Sequence, residues 1–224
     1  MTRQGLAERL SAGLAGWFQQ IAAQNLETQV GEDAARVELV RLISAQQSYT
    51  PETSVRPTNW PESTKKRIDV AILGRYKGQS GGWYGGIELK WPKERIDTKL
   101  VRHSIVSDAV RVAFAATGNL NANFLIIGGG TKALDKLFEE PHAASAREEQ
   151  RSNFAALFSR DIESPTGKIT SSDLNRVFPD FGDRVPQQAF NGWSRRLSTN
   201  LIATSEAKIG SDVKGAVYVW QINK

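Results

Sequence analysis

Apolar residues recur along this 224-residue chain with two periods, and the change of period separates helices from strands. Steps of three and four residues predict amphipathic helices, which cover 5–24, 33–46 and 97–116. Short runs rich in Ile, Val and Leu, or flanked by prolines, predict strands, which cover 52–56, 67–73, 87–91, 123–127, 197–204 and 217–222. In the second helix, Val37, Val40 and Ile43 form the apolar stripe that we expect to face the core.

The connections between these elements indicate how the strands are arranged. The glycine-rich segment 74–86 is predicted as an irregular connection between two strands that pair in antiparallel fashion. The helix at 97–116 lies between two further strands, which is the pattern of a parallel crossover. The glycines at 128–130 are predicted as a turn into a short helix, and 205–216 as a loop between the last two strands. This order of elements predicts an α/β fold with a mixed central sheet flanked by helices.

The same pattern divides the chain into four parts. The N-terminal helix belongs to 1–30, and the alternating strands and helices of the core occupy 33–140. Charge-rich and irregular sequence at 141–196 is interpreted as a helical and irregular insertion. The strand pair within 197–224 is expected either to extend the sheet or to pack on the core.

Charge changes this picture in the middle of the chain. The net charge is +5, and 56–111 contains twelve Lys and Arg against six Asp and Glu. Such an excess indicates either a nucleic-acid partner or an ordinary solvated basic face, and charge alone leaves both open. The chain has no Cys, no apolar run of membrane-spanning length and no N-terminal secretion-signal pattern. We therefore expect a cytoplasmic protein that does not bind membranes.

Three charged residues lie on two neighbouring predicted strands, and they carry the candidate chemistry. Residues two apart in a strand share a face, so Glu88 and Lys90 project together. The same alternation places Asp69 opposite to Ile68 and Val70, and pairing of the strands brings Asp69 to the other two charges. Burying two carboxylates is costly without a compensating cation, and a hard divalent cation prefers oxygen ligands. The alternative is a sheet face whose charged residues point into water.

An acidic residue two positions before Lys is common by chance, so its context decides its meaning. The spacing occurs four times, at Glu88/Lys90, Asp97/Lys99, Glu206/Lys208 and Asp212/Lys214. The second opens a predicted helix, the third follows a strand that no strand-borne Asp precedes, and the fourth lies in a predicted loop. Only the first lies between a strand with an Asp and a long helix followed by an apolar strand.

In this order of elements, Asp69 followed by Glu88-Leu89-Lys90 resembles the PD-(D/E)xK nuclease superfamily, over residues 33–130. The resemblance implies a restriction-endonuclease-like fold and metal-dependent hydrolysis of phosphodiester bonds. It implies that Asp69, Glu88 and the main-chain carbonyl of Leu89 bind Mg²⁺, for which Mn²⁺ would substitute. It also implies that Lys90 positions or activates the attacking water. An endonuclease of double-stranded DNA, with a role in restriction, phage defence or toxicity, is the expected function.

Two details of the resemblance concern single positions. Many members of the superfamily add a glutamate from the preceding helix, and we assign this role to Glu38, with Glu32 and Glu52 as alternatives. The residue before Asp69 is Ile68 rather than the proline of the literal signature. The superfamily tolerates this departure widely.

Basic residues next to the site are candidates for contacts with backbone phosphates, which dominate nucleic-acid affinity. They are Lys65, Lys66, Arg67, Lys93, Arg95, Lys99 and Arg102. A solvated surface is the alternative interpretation of each. A homodimer would suit double-strand cleavage, although no residue pattern requires one. The alternative function is a nucleic-acid-binding or scaffolding domain that keeps the fold without catalysis.

Overall fold

The structure is a computed structural model that describes some parts of the chain and not others. These parts are 2–56, 67–76, 79–95, 97–115, 122–138, 154–155, 157–160, 166–169, 174, 177 and 194–223. Most of the predicted insertion at 141–196 therefore lies outside the described residues, and so do Lys65 and Lys66. The side chain of Lys99 is also outside the description, although its backbone belongs to a helix.

Helices and strands alternate through the first part of the chain, and strands dominate its end. The helices are α1 (Arg3–Ala23), α2 (Glu32–Ser44), α3 (Thr98–Ala115) and α4 (Thr131–Phe138). The strands are β1 (Tyr49–Val55), β2 (Ile68–Tyr76), β3 (Gln79–Lys90), β4 (Ala122–Gly130), β5 (Thr166–Lys168), β6 (Arg196–Ile209) and β7 (Asp212–Asn223). Within the described residues, no helix is both long and apolar enough to cross a membrane.

The strands form one mixed sheet in the order β1-β2-β3-β4-β7-β6-β5. β3 and β4 are parallel and are joined by α3, while every other neighbouring pair is antiparallel. The predicted α/β class with helices flanking a mixed sheet is confirmed, and so is the parallel crossover. The C-terminal strands extend the sheet, because β7 pairs directly with β4.

Each face of the sheet has its own apolar core. On one face, α1 and α2 cover a cluster that includes Phe18, Leu39 and Leu89. On the other, α3 and α4 cover a cluster that includes Val110 and Trp220. Both faces of β3 and β4 are therefore covered, and a charged side chain on either strand needs a partner inside the protein.

The stripe predicted for α2 is wrong in part. Val37 is 72% exposed, whereas Ala35, Leu39 and Ile43 are fully buried. The small side chain of Ala35 lets the helix approach the sheet closely, so the helix docks through this stripe rather than through the β-branched Val37. The face of α2 that meets the sheet is thus rotated from the predicted one.

Three predicted connections are strand in the structure. Most of 74–86 belongs to the β2–β3 hairpin, 128–130 ends β4, and nearly all of 205–216 belongs to the β6–β7 hairpin. Their glycines had indicated turns. Two of these glycines are needed because the backbone is closely packed there, and a side chain would collide with a neighbouring residue.

The collisions involve Gly85 and Gly128. A Cβ atom on Gly85 would lie 1.9 Å from the carbonyl oxygen of Ala122 on the parallel strand β4. A Cβ atom on Gly128 would lie 2.4 Å from the indole ring of Trp91. Both glycines therefore allow β3 and the segment after it to pack against β4, close to the residues with the candidate chemistry.

The alternation predicted for the start of β2 fails at Ile68. Val70 and Ile72 lie in the core under α1 and α2, but Ile68 lies in the core under α3. Ile68 packs next to Gly86 there, with its Cγ2 atom 3.4 Å from the position that a Cβ atom on Gly86 would take. Asp69 is the next residue, and its carboxylate lies at the end of the β2–β3 ladder.

Candidate active site

The β2–β3 pairing brings Asp69 and Glu88 together. Val70 pairs with Ile87, and one step further the same register places Asp69 opposite Glu88. The Oδ2 atom of Asp69 accepts a hydrogen bond of 3.0 Å from the backbone N–H of Leu89. The two carboxylates therefore share one site, where β2 begins and β3 ends.

Glu88 and Lys90 lie on the same face of β3, as the alternation predicts. Ile87, Leu89 and Trp91 pack into the core under α1 and α2 on the other face. The side chain of Glu88 is 1% exposed and that of Lys90 is 16% exposed. Both charges are thus largely removed from water and depend on partners within the protein.

Lys90 is held between helices that approach from opposite faces of the sheet. Its Nζ atom lies 2.9 Å from Oδ2 of Asp108 on α3. It also donates to Oε1 of Glu32, at 3.3 Å, in the first turn of α2. A carboxylate suits that turn because the N-terminus of a helix carries partial positive charge. The ammonium group is therefore fixed at the end of β3 by two carboxylates.

Two arginines pair with the candidate metal ligands. Nη2 of Arg36 lies 3.1 Å from Oδ1 of Asp69, and Nε of Arg111 lies 3.0 Å from Oε1 of Glu88. Arg111 also contacts Asp108 through Nη2. Together these residues form what we call the charge cluster, which consists of Glu32, Arg36, Asp69, Glu88, Lys90, Asp108 and Arg111.

Burial dominates the electrostatics of Glu88. Loss of hydration raises the pKa of its carboxyl well above the usual range. Arg111 and Lys90 act in the opposite direction, while the charge and hydrogen bonding of Asp69 raise the pKa further. Glu88 is therefore a carboxyl that holds its proton at a pH where an exposed glutamate is ionised.

The contact between Glu88 and Arg111 is close but poorly aligned. At 3.0 Å the Oε1 and Nε atoms are near enough to attract, yet neither of these buried atoms makes a hydrogen bond. Buried polar atoms are nearly always satisfied, so a carboxylate oxygen in this state is suited to an additional cationic partner.

Asp69 and Glu88 supply oxygen atoms of the kind that a hard divalent cation prefers. Asp69 and Glu88 provide adjacent carboxylates, and the unsatisfied Oε1 atom of Glu88 is the observation that favours a further cation. Among the residues that the structure describes, no group of three or more His, Cys, Asp or Glu side chains is arranged to hold a metal. The residues suited to the cation are therefore the carboxylates of Asp69 and Glu88, to which the resemblance adds the Leu89 carbonyl.

The assignment of Glu38 as the auxiliary acid is corrected by the structure. Glu38 accepts hydrogen bonds of 2.7 and 2.5 Å from Arg41 of its own helix. It projects about 120° away from Glu32 around α2, because each residue turns the helix by about 100°. Glu32, one of the two alternatives, is the α2 carboxylate that contacts Lys90, and Glu52 is exposed on β1.

Two predicted phosphate-binding arginines have roles within the fold. Arg102 donates from Nε to the carbonyl of Leu137 over 2.8 Å, and its guanidinium lies 5.6 Å from the ring centre of Phe154. It therefore joins α3 to the end of α4 rather than to the charge cluster. Arg67 is exposed, and its carbonyl accepts a hydrogen bond of 3.1 Å from Arg111.

Lys93 and Arg95 lie closer to the site. Both are exposed, and both line a pocket of about 370 Å³ next to the end of β3, together with Trp91 and Gly130. The ammonium of Lys93 lies 3.7 Å from the position of a Cβ atom on Gly31, which immediately precedes α2. The same pocket is also lined by the acidic residues Glu27 and Glu94, so its charge is mixed.

Sequence reasoning missed the contributions of Arg36, Asp108 and Arg111. A signal for the last two was present, because Asp108 and Arg111 interrupt an otherwise largely apolar stretch at 105–115. A helix that is apolar on most sides is buried, and charges inside it must be paired. Their i, i+3 spacing further predicts that they pair with each other.

The seven-stranded mixed sheet and the charge cluster are the features by which this chain can be compared with known proteins. Comparison with protein-family models, with curated proteins and with solved structures finds no match. The function is therefore inferred from the residues themselves and from their positions in the fold.

Proposed function

We propose that the chain is a metal-dependent nuclease of restriction-endonuclease-like fold that hydrolyses phosphodiester bonds, as an endonuclease of double-stranded DNA. One observation carries the proposal. Asp69 and Glu88 are adjacent at the end of the β2–β3 ladder, and Lys90 lies on the same face as Glu88. A role in restriction, phage defence or toxicity is part of the same proposal.

The arrangement of elements supports this function. α2 precedes the β1–β2–β3 meander, and α3 then crosses to β4 in parallel with β3. This is the order that the resemblance to the PD-(D/E)xK superfamily implies. The acidic residues and the lysine lie where β3 ends, and there the side chains of Asp69 and Lys90 remain 17% and 16% exposed.

The residues have distinct roles in the proposed reaction. Asp69, Glu88 and the carbonyl of Leu89 would hold Mg²⁺, which supplies a Lewis acid and lowers the pKa of bound water. Lys90 donates a hydrogen bond near the attacking water or to a non-bridging phosphate oxygen, where negative charge develops. Asp108 keeps the ammonium of Lys90 at the end of β3, so little reorganisation is needed during the reaction.

Nicking of supercoiled DNA tests the proposal, with Mg²⁺ or Mn²⁺ and an EDTA control. Glu88→Gln and Lys90→Met should each abolish cleavage. Glu206→Gln and Lys208→Met are the matched controls, because they change an acid and a lysine at the same spacing at half-exposed positions of β6. The controls should cut at the wild-type rate. Equal cleavage by the site variants and wild type, in identically purified preparations, would show that the activity does not arise from this site.

A specific observation favours the alternative, a nucleic-acid-binding domain without catalysis. Arg36 lies against Asp69 and Arg111 against Glu88, so each candidate metal ligand already has a counter-ion without a metal. Thermal unfolding with increasing Mg²⁺ discriminates the two functions, since a ligand that binds only the folded protein raises its stability. A nuclease predicts a rise in Tm, whereas a binding domain predicts DNA binding that EDTA does not change and no rise in Tm.

A further inference from the structure

Arg111 is anchored in the charge cluster by two groups that do not belong to the proposed metal site. Its Nη2 atom contacts Asp108, whose side chain is 2% exposed. Its Nη1 atom donates to the carbonyl of Arg67 over 3.1 Å. These contacts come from the same helix and from the residue before β2, and they hold the guanidinium beside Glu88.

The third contact of Arg111 differs from the other two. Its Nε atom lies 3.0 Å from Oε1 of Glu88, but the geometry is not that of a hydrogen bond and both atoms lack one. A guanidinium has five N–H donors in a fixed planar fork, and that fork matches a phosphate. Arg111 therefore has donor capacity directed at the metal-binding end of the site.

The charge balance of the cluster suggests when this capacity is used. With Glu88 ionised, its four carboxylates and three cations leave one formal negative charge, not counting Asp33, which pairs with Arg36 but is 94% exposed. A divalent cation bound by Asp69 and Glu88 would change this to one formal positive charge. That positive charge matches the single negative charge of one phosphodiester group. The bound cation also replaces Arg111 as the counter-ion of Glu88.

We propose that Arg111 is a substrate-binding residue, which holds a phosphate of the DNA backbone once a divalent cation occupies Asp69 and Glu88. This inference rests on the proposed nuclease function. Asp108 is its positioning residue, because it keeps the guanidinium in place when Glu88 turns to the cation. The side chain of Arg111 is 16% exposed but its Nε atom is buried against Glu88, so a phosphate would reach this donor once Glu88 turns to the cation.

Arg36 is a weaker choice for this role. Its other partners, Glu32 and Asp33, lie on its own helix, and the side chain of Asp33 is 94% exposed. Arg111 instead has one nearly fully buried carboxylate and one main-chain carbonyl as anchors. A guanidinium with fixed anchors loses less side-chain entropy when it binds a phosphate.

DNA affinity measured with and without a cation tests the inference. A fluorescein-labelled duplex is titrated with protein at constant ionic strength, in EDTA or in Ca²⁺, a hard cation with the same preference for oxygen ligands. Fluorescence anisotropy gives the Kd, and a gel checks that the duplex stays intact. The variants are Arg111→Gln and the charge-retaining Arg111→Lys, which keeps a cation beside Asp108 and so guards against misfolding. Arg41→Gln is the matched control, because Arg41 is an ion-paired arginine on α2 outside the cluster.

For the wild type and Arg41→Gln, we expect Ca²⁺ to tighten DNA binding by about tenfold, as one charge-assisted hydrogen-bonded contact does. Arg111→Gln should lose this gain, Arg111→Lys should lose most of it, and neither should differ from Arg41→Gln in EDTA. The inference would be overturned if Ca²⁺ tightened DNA binding by both Arg111 variants as much as by the wild type, or if Ca²⁺ did not change the Kd of the wild type. Either result would leave nucleic-acid binding intact. No binding of DNA by the wild type in either condition would overturn the proposed function together with it.

Discussion

Replacing Glu88 by glutamine should make the protein more stable at neutral pH, and the gain should grow as the pH rises. The reason is the burial of this carboxyl, which is 1% exposed and whose pKa is raised chiefly by loss of hydration. Glutamine has almost the same shape but never ionises. The substitution therefore removes the cost of ionising a buried group and keeps its packing.

The sign and size of the effect follow from proton linkage. A folded-state pKa above the unfolded value means that the native protein binds more protons between the two values. The stabilising effect of the protonated group is complete below the unfolded pKa of about 4.5 and is lost as the pH rises to the folded pKa. One proton corresponds to about 1.4 kcal/mol for each pH unit in this window. For a chain of this length that is about 3 to 6 °C in Tm per unit.

Thermal unfolding from pH 5 to 8 in EDTA measures the difference in Tm between Glu88→Gln and the wild type. The difference should increase steadily with pH until the folded pKa is reached. Glu206→Gln is the control, since Glu206 is half exposed on β6 and its replacement should change stability by less than about 0.5 kcal/mol. A variant less stable than the wild type at pH 8, by an amount independent of pH, would refute the reasoning. It would mean that Arg111 outweighs burial and keeps Glu88 ionised.

Three further predictions concern the same region of the fold. Mg²⁺ at a hundredfold excess over its Kd should stabilise the wild type by about 2.7 kcal/mol but leave Asp69→Asn unchanged; an equal rise in both would place the metal elsewhere. Asp108→Asn should lower the free energy of unfolding by about 3 to 5 kcal/mol in urea titrations, because it removes a 2% exposed charge from its cationic partners; a loss below 1 kcal/mol would contradict this. Gly128→Ala should lower the free energy of unfolding by about 1 to 3 kcal/mol, because its new methyl group collides with Trp91. Gly16→Ala in α1 is the control and should raise the free energy of unfolding by about 0.5 to 1 kcal/mol, because the space around Gly16 is open. Equal effects of the two substitutions in the same assay would refute the packing argument.

The part of the site that the sequence predicts is the part set by strand geometry. Glu88 and Lys90 share a face because side chains alternate in any strand, and Asp69 meets them because the neighbouring stretch 70–72 pairs in regular register with 85–87. These are local properties that need no knowledge of the rest of the fold. Two glycines misled for the opposite reason, since Gly85 in β3 and Gly128 in β4 are required by contacts with residues far away in the sequence.

The helical part of the site depends on how each helix docks. Leu39 and Ala35 are buried, and Glu32 lies on the same stripe one turn before Ala35, so this stripe points Glu32 at the end of β3. The predicted stripe with Val37 is instead rotated about the helix axis, since Val37 is 72% exposed. Which of two apolar stripes is buried is decided by the fit of the helix to the sheet, and the sequence of the helix alone does not contain that information.

The composition of the charge cluster is itself an argument for function. Replacing a buried set of ion pairs by apolar residues of similar volume is often neutral or stabilising, so such a set is a weak contributor to stability. Here the cluster draws residues from α2, β2, β3 and α3, and it includes a carboxyl whose ionisation the fold disfavours. The rest of the sheet around it is covered by ordinary apolar cores. Departures from stable packing in proteins concentrate at functional sites. The stability that Glu88→Gln should recover is thus a measure of what the chain gives up to keep a carboxyl group, the proposed metal ligand, buried at the end of β3.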